Sequence, residues 1–185
     1  MLAPLLRFLG VAAVCFACTT FAGLAAADEA SEINRMFAAG QVNEAFAKLD
    51  ELIAAKPRDP QLRFQKGVLL AEAHRASDAS AVFTQLTIDF PEIPEPYNNL
   101  AVIYAAQGEF DKARAALEAA IRARPDYAVA LQNLGDVYVQ LAKASYARAL
   151  QLDLNNSALP PKLSVLRGLV TTIPAAPAKA PDAPK

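Results

Sequence analysis

Few residues of this 185-residue chain belong to the types that perform catalysis or bind metal ions. Its single histidine is His74, and its two cysteines are Cys15 and Cys18. Nucleophilic catalysis needs a nucleophile beside a base, and a structural zinc site needs several His or Cys ligands. The sequence has neither arrangement, and it has no glycine-rich phosphate-binding loop. We therefore predict that the protein is not an enzyme and that it uses no cofactor and no metal ion.

Composition and charge narrow the range of partners. Hydrophobic residues make up 54% of the chain, which is enough to form a core and excludes a wholly disordered protein. Lysine and arginine (18) nearly balance aspartate and glutamate (19), so the formal charge is −1. Nucleic-acid binding depends largely on a basic excess, so we expect no nucleic-acid partner.

Residues 1–27 have the features of an export signal. Arg7 is followed by an apolar run over 8–21, and Ala25 and Ala27 stand where a signal peptidase reads small residues. We predict cleavage after Ala27 and a periplasmic protein with no integral membrane domain and no cysteine. The alternative is an uncleaved segment that anchors the protein to the membrane.

The rest of the chain repeats itself at intervals of 34 residues. Because such a period marks stacked supersecondary units, it determines how every other feature is interpreted. The aligned columns are Pro57, Pro91 and Pro125; Ala45, Ala79 and Ala113; Leu49, Phe83 and Leu117; Ile33, Gly67, Ala101 and Gly135; and Gly40, His74 and Gly108.

The spacing of apolar residues within each unit predicts paired helices. Apolar side chains recur three and four residues apart, which places them on one buried stripe. The small residues at 67, 101 and 135 lie where a neighbouring helix must approach closely, and the turn column makes His74 a solvated turn residue. The predicted helices are 29–39, 42–55, 60–73, 76–89, 94–107 and 110–123.

The third unit carries the family resemblance. Its columns are Tyr97, Leu100, Ala101, Tyr104, Gly108, Phe110, Ala113, Leu117, Ala120 and Pro125. It resembles the tetratricopeptide repeat, a helix-turn-helix unit. The resemblance implies an all-α fold, a right-handed superhelical array of about three and a half helix pairs over 28–170. The repeats would be 28–59, 60–93, 94–127 and a degenerate 128–154.

The fourth unit departs from the pattern. Ala142, Tyr146 and Ala149 come five residues too early for a second helix, and 126–153 has no proline. We predict that the turn is lost and that the last unit is fused into one long helix; the alternative is a tight hairpin near Ala142. A capping helix over 160–169 and a disordered Pro/Ala-rich tail over 171–185 would follow.

The resemblance also implies a binding groove, because the first helices of such units line a concave surface that holds partner peptides. By repeat column, a chaperone-type carboxylate clamp would fall on Phe64, Val68, Asn99, Val129 and Asn133, and only Asn99 matches. We therefore expect an apolar or amphipathic segment instead of a terminal carboxylate. The groove residues are Phe64, Val68, Glu72, Asn98, Val102, Ala105, Gln132, Asp136 and Val139.

Two functional classes remain open. The first is a non-enzymatic scaffold or adaptor of the cell envelope that binds a peptide or helix of a protein partner in this groove. The second is a structural subunit that self-associates through its end helices into a homo-oligomer. In the second case, the apolar side of the capping helix, formed by Leu163 and Leu166, would make the contact.

Overall fold

A computed structural model describes residues 29–169, and within that range every regular element is an α-helix. The predicted signal at 1–27 and the predicted tail at 171–185 lie outside the described residues. No helix within the described range combines the length and apolarity that crossing a bilayer requires. The helices are α1 (29–38), α2 (Val42–Ala55), α3 (Pro60–Glu72), α4 (Ala76–Asp89), α5 (Pro94–Ala106), α6 (Phe110–Ala123), α7 (Ala128–Leu152) and α8 (Leu159–Leu169).

The chain divides into two compact units, Met1–Pro57 and Arg58–Lys185. The described part of the first unit is the α1/α2 pair. Ala45 and Leu49 of α2 are fully buried, and the Phe37 and Phe46 rings meet edge to face with centroids 6.1 Å apart. This pair therefore has the apolar interface that the first repeat predicts.

The second unit contains α3 to α8, and each helix packs against the next one along the chain. The small-residue column lies where the paired helices cross. A Cβ atom added at Gly67 of α3 would lie 2.6 Å from Cε1 of Phe83, whose ring belongs to α4. Ala101 of α5 is 1% exposed and packs in one cluster with Ala113 and Leu117 of α6. Close approach at this column is thus confirmed for the α3/α4 and α5/α6 pairs.

The turns between paired helices use left-handed backbone. Gly40 and Gly108 have φ angles of 82° and 76°, and His74 has a φ of 58°. Glycine adopts this region without the steric penalty that a Cβ atom brings, which explains two of the three residues in the column. His74 is exposed, as expected for a turn residue.

The fourth unit contains a single long helix, α7, of 25 residues. The fusion is confirmed, and the hairpin alternative near Ala142 is wrong. Because no turn folds the chain back, the first half of α7 has no second helix from its own unit. Leu131 and Tyr138 are each 49% exposed, and nothing lies within 4 Å of a Cβ atom added at Gly135. The close helix approach predicted at Gly135 is therefore wrong, because the helix that would approach it is missing from this unit. Further along, α8 packs on α7, and Nζ of Lys162 lies 5.3 Å from the centre of the Tyr146 ring.

The glycines at 67 and 135 occupy the same column but different surroundings, so the same substitution should have opposite effects. We expect Gly67→Ala to lower the free energy of unfolding by about 1–3 kcal/mol, because the new methyl group overlaps the buried Phe83 ring. Gly135→Ala should raise it by about 0.4–1 kcal/mol, because the unfolded chain loses entropy and nothing in the fold is displaced. Urea denaturation of both variants measures the difference, and equal midpoints would contradict this packing.

Candidate binding groove

The first helices of the repeats, α3, α5 and α7, place the predicted groove residues. Local sequence sets where α3 and α5 begin. Oδ1 of Asp59 accepts a hydrogen bond from the backbone N–H of Gln61 at 2.8 Å, which caps α3, and Pro60 follows at the first helical position. Pro94 likewise stands at the start of α5, which has no side-chain cap. The starting points of these two helices are therefore fixed by residues outside the groove.

Seven of the nine predicted groove residues are accessible. By repeat column, Asp136 of α7 stands in line with Val68 of α3 and Val102 of α5, and Val139 of α7 stands in line with Ala105 of α5. The partly buried members are Val68, Val102, Ala105, Asp136 and Val139, and the exposed members are Glu72 and Gln132. We call these seven residues the candidate groove.

Two predicted groove residues are instead part of the interior. Phe64 is 1% exposed, and its ring packs against Phe83 with centroids 5.5 Å apart. Asn98 is fully buried. The prediction that Phe64 and Asn98 line an open groove is therefore wrong. Both side chains pack between helices and are closed to a partner.

Asn98 joins two successive first helices. Nδ2 of Asn133 on α7 donates a hydrogen bond to Oδ1 of Asn98 on α5, with a separation of 2.8 Å, and both residues are buried. Nδ2 of Asn99 donates to the backbone oxygen of Glu95 at 2.9 Å. A buried amide pair of this kind stabilises only when its partners are in place. The pair therefore fixes how α5 and α7 lie beneath the candidate groove.

A partly buried ionic contact lies at the start of α5. Glu95 is 5% exposed, and its carboxylate accepts a hydrogen bond from the guanidinium of Arg124, which directly follows α6. The same guanidinium lies 4.6 Å from the centre of the Tyr127 ring. Burial, with a contribution from the Glu95 charge, raises the pKa of Tyr127 to about 12, and Arg124 partly opposes that shift.

The buried polar side chains of α5, Glu95 and Asn98, form an incompletely hydrogen-bonded polar layer. Within residues 29–169, Oε2 of Glu95 and Nδ2 of Asn98 are buried without a hydrogen-bond partner. Unpaired buried polar atoms cost free energy, so this layer stabilises the fold less than an apolar floor of equal area would. The hydrogen bond between Asn98 and Asn133 instead restricts the relative positions of α5 and α7, because it forms only over a narrow range of distances and angles.

Sequence reasoning missed the Glu95–Arg124 contact. The two residues are 29 positions apart, and each looks like an ordinary surface charge in the sequence. A signal was present: Glu95 follows the proline that begins α5, and Arg124 directly precedes the proline that ends the repeat. Residues next to the repeat boundaries face one another when the two helices of a unit lie antiparallel.

The electrostatics of the candidate groove are acidic. Glu72 and Asp136 are its two charged residues, and it contains no lysine or arginine. Among the described residues, no group of three or more His, Cys, Asp or Glu is placed to hold a metal ion. The arrangement can therefore bury apolar groups and attract positive ones.

A tetratricopeptide repeat family model matches residues 64–128 and 98–157, which together span just over half of the chain. The chain belongs to the tetratricopeptide repeat family. Such repeats generally mediate protein–protein interactions, and the eight helices of the described range have the helical architecture of the family.

Individual relatives resemble limited parts of the chain. A tetratricopeptide repeat domain-containing protein of Arabidopsis thaliana chloroplasts, PYG7, is 32% identical over 87 residues, which is 44% of this chain and 29% of that protein. The chain thus matches less than a third of the length of this curated relative.

Two solved structures share the fold. The first tetratricopeptide repeat domain of Spaghetti (RPAP3), bound to the HSP90 peptide SRMEEVD, is 17% identical with a TM-score of 0.55, covering 63% of this chain and 93% of that one. YrrB, a repeat protein with an unusual peptide-binding site, is 26% identical with a TM-score of 0.50, covering 56% of this chain and 54% of that one.

The raised pKa of Tyr127 gives a direct test of the packing around the Glu95–Arg124 contact. Phenolate absorbance is recorded against pH for wild type and for Tyr127→Phe, and the difference between the two curves isolates Tyr127. Its midpoint should lie at about pH 12. Glu95→Gln should lower that midpoint, because the Glu95 charge disfavours the phenolate, and burial should keep it above the ordinary value. Since the unfolded chain loses the proton first, stability should fall as pH rises from about 10 to 12. A Tyr127 midpoint at about 10 would contradict this burial.

Proposed function

We propose that this chain is a non-enzymatic interaction scaffold or adaptor of the cell envelope, which holds a peptide or helix of a partner protein in the concave groove of its repeats. The export signal predicted at 1–27 supports a periplasmic location after cleavage, and an uncleaved signal would instead anchor the same domain to the membrane. The observation that carries the proposal is the candidate groove itself, a stripe of short apolar side chains on three successive first helices.

The size of the groove side chains favours a partner with bulky apolar residues. Val68 and Val102 occupy equivalent repeat columns, and Ala105 lies one turn further along α5. All three are partly buried, so a bound side chain would complete their burial at about 25 cal/mol per Å². Short side chains leave room for longer ones, which suits an amphipathic helix or an extended apolar segment.

The charge of the groove favours a partner with basic residues beside the apolar ones. Glu72 lies at the α3 side and Asp136 at the α7 side, with no basic residue between them in the candidate groove. A terminal carboxylate would be repelled, in keeping with the missing clamp residues at Phe64 and Val129. The HSP90 peptide bound by Spaghetti carries acidic residues, so we propose a different class of ligand for this chain.

Affinity capture from the native envelope tests the groove. We expect Val102→Glu to reduce by at least about nine-tenths the capture of one or more proteins that the mature wild-type chain binds, because the new charge lies in the apolar stripe. Ala115→Glu is the matched control: Ala115 is exposed on the second helix α6, and the variant should capture the full set. Thermal unfolding establishes that both variants fold. The proposal fails if Val102→Glu, correctly folded, retains the wild-type set.

Self-association is the second candidate function, and exposed apolar residues near the end of the described range favour it. Leu154 is 81% exposed, Val165 is 64% exposed and Leu169 is 63% exposed. The sequence suggested Leu163 and Leu166 as contact residues. Leu166 is partly buried, and Leu163 is 9% exposed and packs within the fold instead. Sedimentation separates the two functions: a dimer that Val165→Glu and Leu169→Glu dissociate supports the structural subunit, and a monomer at all concentrations excludes it.

A further inference from the structure

The first half of α7 has an apolar face that the described residues leave half exposed. Leu131, Gly135 and Tyr138 are spaced four and three residues apart, so they lie on one side of the helix. We call these three residues the α7 edge face. Leu131 and Tyr138 are half exposed, and the space above Gly135 is open to at least 4 Å from a Cβ position.

The α7 edge face continues an interface that the preceding repeats complete. At the equivalent column of α3, the Phe83 ring of α4 lies over Gly67, and at that of α5, α6 covers Ala101. In both units the covering element is the second helix. The fourth unit keeps the first-helix residues for this interface but has no second helix beside them, because α7 runs straight on.

Gly135 supports the same interpretation through its energetic cost. A glycine inside a helix is less stable than alanine there. At Gly67 this cost is offset, since only glycine leaves room for the Phe83 ring. At Gly135 no described residue uses the space. Gly135 therefore resembles Gly67 without the side chain that covers it, and within residues 29–169 nothing supplies that side chain.

The second helices of another copy do not fit the role. α4 and α6 each bury their own apolar stripe within the chain, through Phe83 and Leu86 on α4 and Leu117 and Ala120 on α6. The helix α8 likewise buries Leu163. Lending any of these helices to a second copy would expose the stripe that it now buries.

We propose that the α7 edge face binds an amphipathic helix of a partner protein, which lies beside α7 as the missing second helix and places a large apolar side chain over Gly135. Leu131 and Tyr138 would pack on either side of that side chain. The partner helix would then take the place that the second helix takes in the preceding units. This surface is distinct from the candidate groove, because Asp136 and Val139 lie on a neighbouring side of α7. The proposal does not depend on the groove.

The probe for this site exists in the chain itself. A labelled peptide with the α4 sequence, Ala76–Asp89, carries Phe83, the side chain that fits over the glycine of this column. We expect saturable binding of this peptide to the full chain by fluorescence anisotropy. The peptide with Phe83→Ala should bind at least about tenfold more weakly, because it lacks the ring that fills the space.

Two glycine variants of the full chain locate the binding. Gly135→Ala should weaken the peptide at least about tenfold, since the methyl group takes the space of the ring. Gly168→Ala is the matched control, because Gly168 is also helical with nothing within 4 Å of a Cβ position. It should bind within about twofold of wild type. Val102→Glu, in the candidate groove, should also leave the peptide affinity unchanged.

Four outcomes overturn the proposal. These are no saturable binding up to about 1 mM peptide, equal binding to Gly135→Ala and wild type, and loss of binding in Val102→Glu, which would place the peptide in the groove. The fourth is a wild-type dimer that Gly135→Ala dissociates in sedimentation, since the occupant would then be a second copy. A failure here leaves the groove proposal standing, because capture by the groove is measured with a different variant.

Discussion

Close approach of paired helices at Gly67 in the second unit and at Ala101 in the third is the constraint on which the repeat architecture depends. At Gly67 the approach is so close that a methyl group would overlap the Phe83 ring, and at Ala101 a methyl group fills the contact. Larger side chains on either side then interdigitate at the density of a protein interior. The positions of α3 and α5 follow from this packing, and the candidate groove lies on the sides of these helices that remain partly open.

Polar contacts, and not only apolar ones, join the helices that carry the groove. The Asn98–Asn133 hydrogen bond and the Glu95–Arg124 contact link α5 to α7 and to the end of α6. Buried polar groups contribute little net stability, but they accept few alternative geometries. We attribute to them the fixed spacing of α5 and α7, and hence the distance between the groove side chains that these two helices carry.

The sequence predicted the helices well because their boundaries have local causes. Prolines begin α3 and α5, left-handed residues such as Gly108 form turns, and the second helices α2, α4 and α6 have the predicted bounds. The fused helix α7 was also predictable, since no proline or turn signal interrupts it. The accessibility of individual groove residues was not. Repeat columns assign a residue to a helix face, whereas the burial of Phe64 and Asn98 depends on which side chains neighbouring helices supply.

The central claim is that helix pairs cross at the column of Gly67 and Ala101 and that this packing holds the groove in place. Chemical denaturation of Ala101→Leu tests it most directly, with Ala115→Leu as the same substitution at an exposed position of α6. Overpacking at Ala101 should lower the free energy of unfolding by about 1–3 kcal/mol, and Ala115→Leu should change it by less than about 0.5 kcal/mol. Equal stability of the two variants would show that the Ala101 column is not a packed crossing, and the groove derived from it would be wrong.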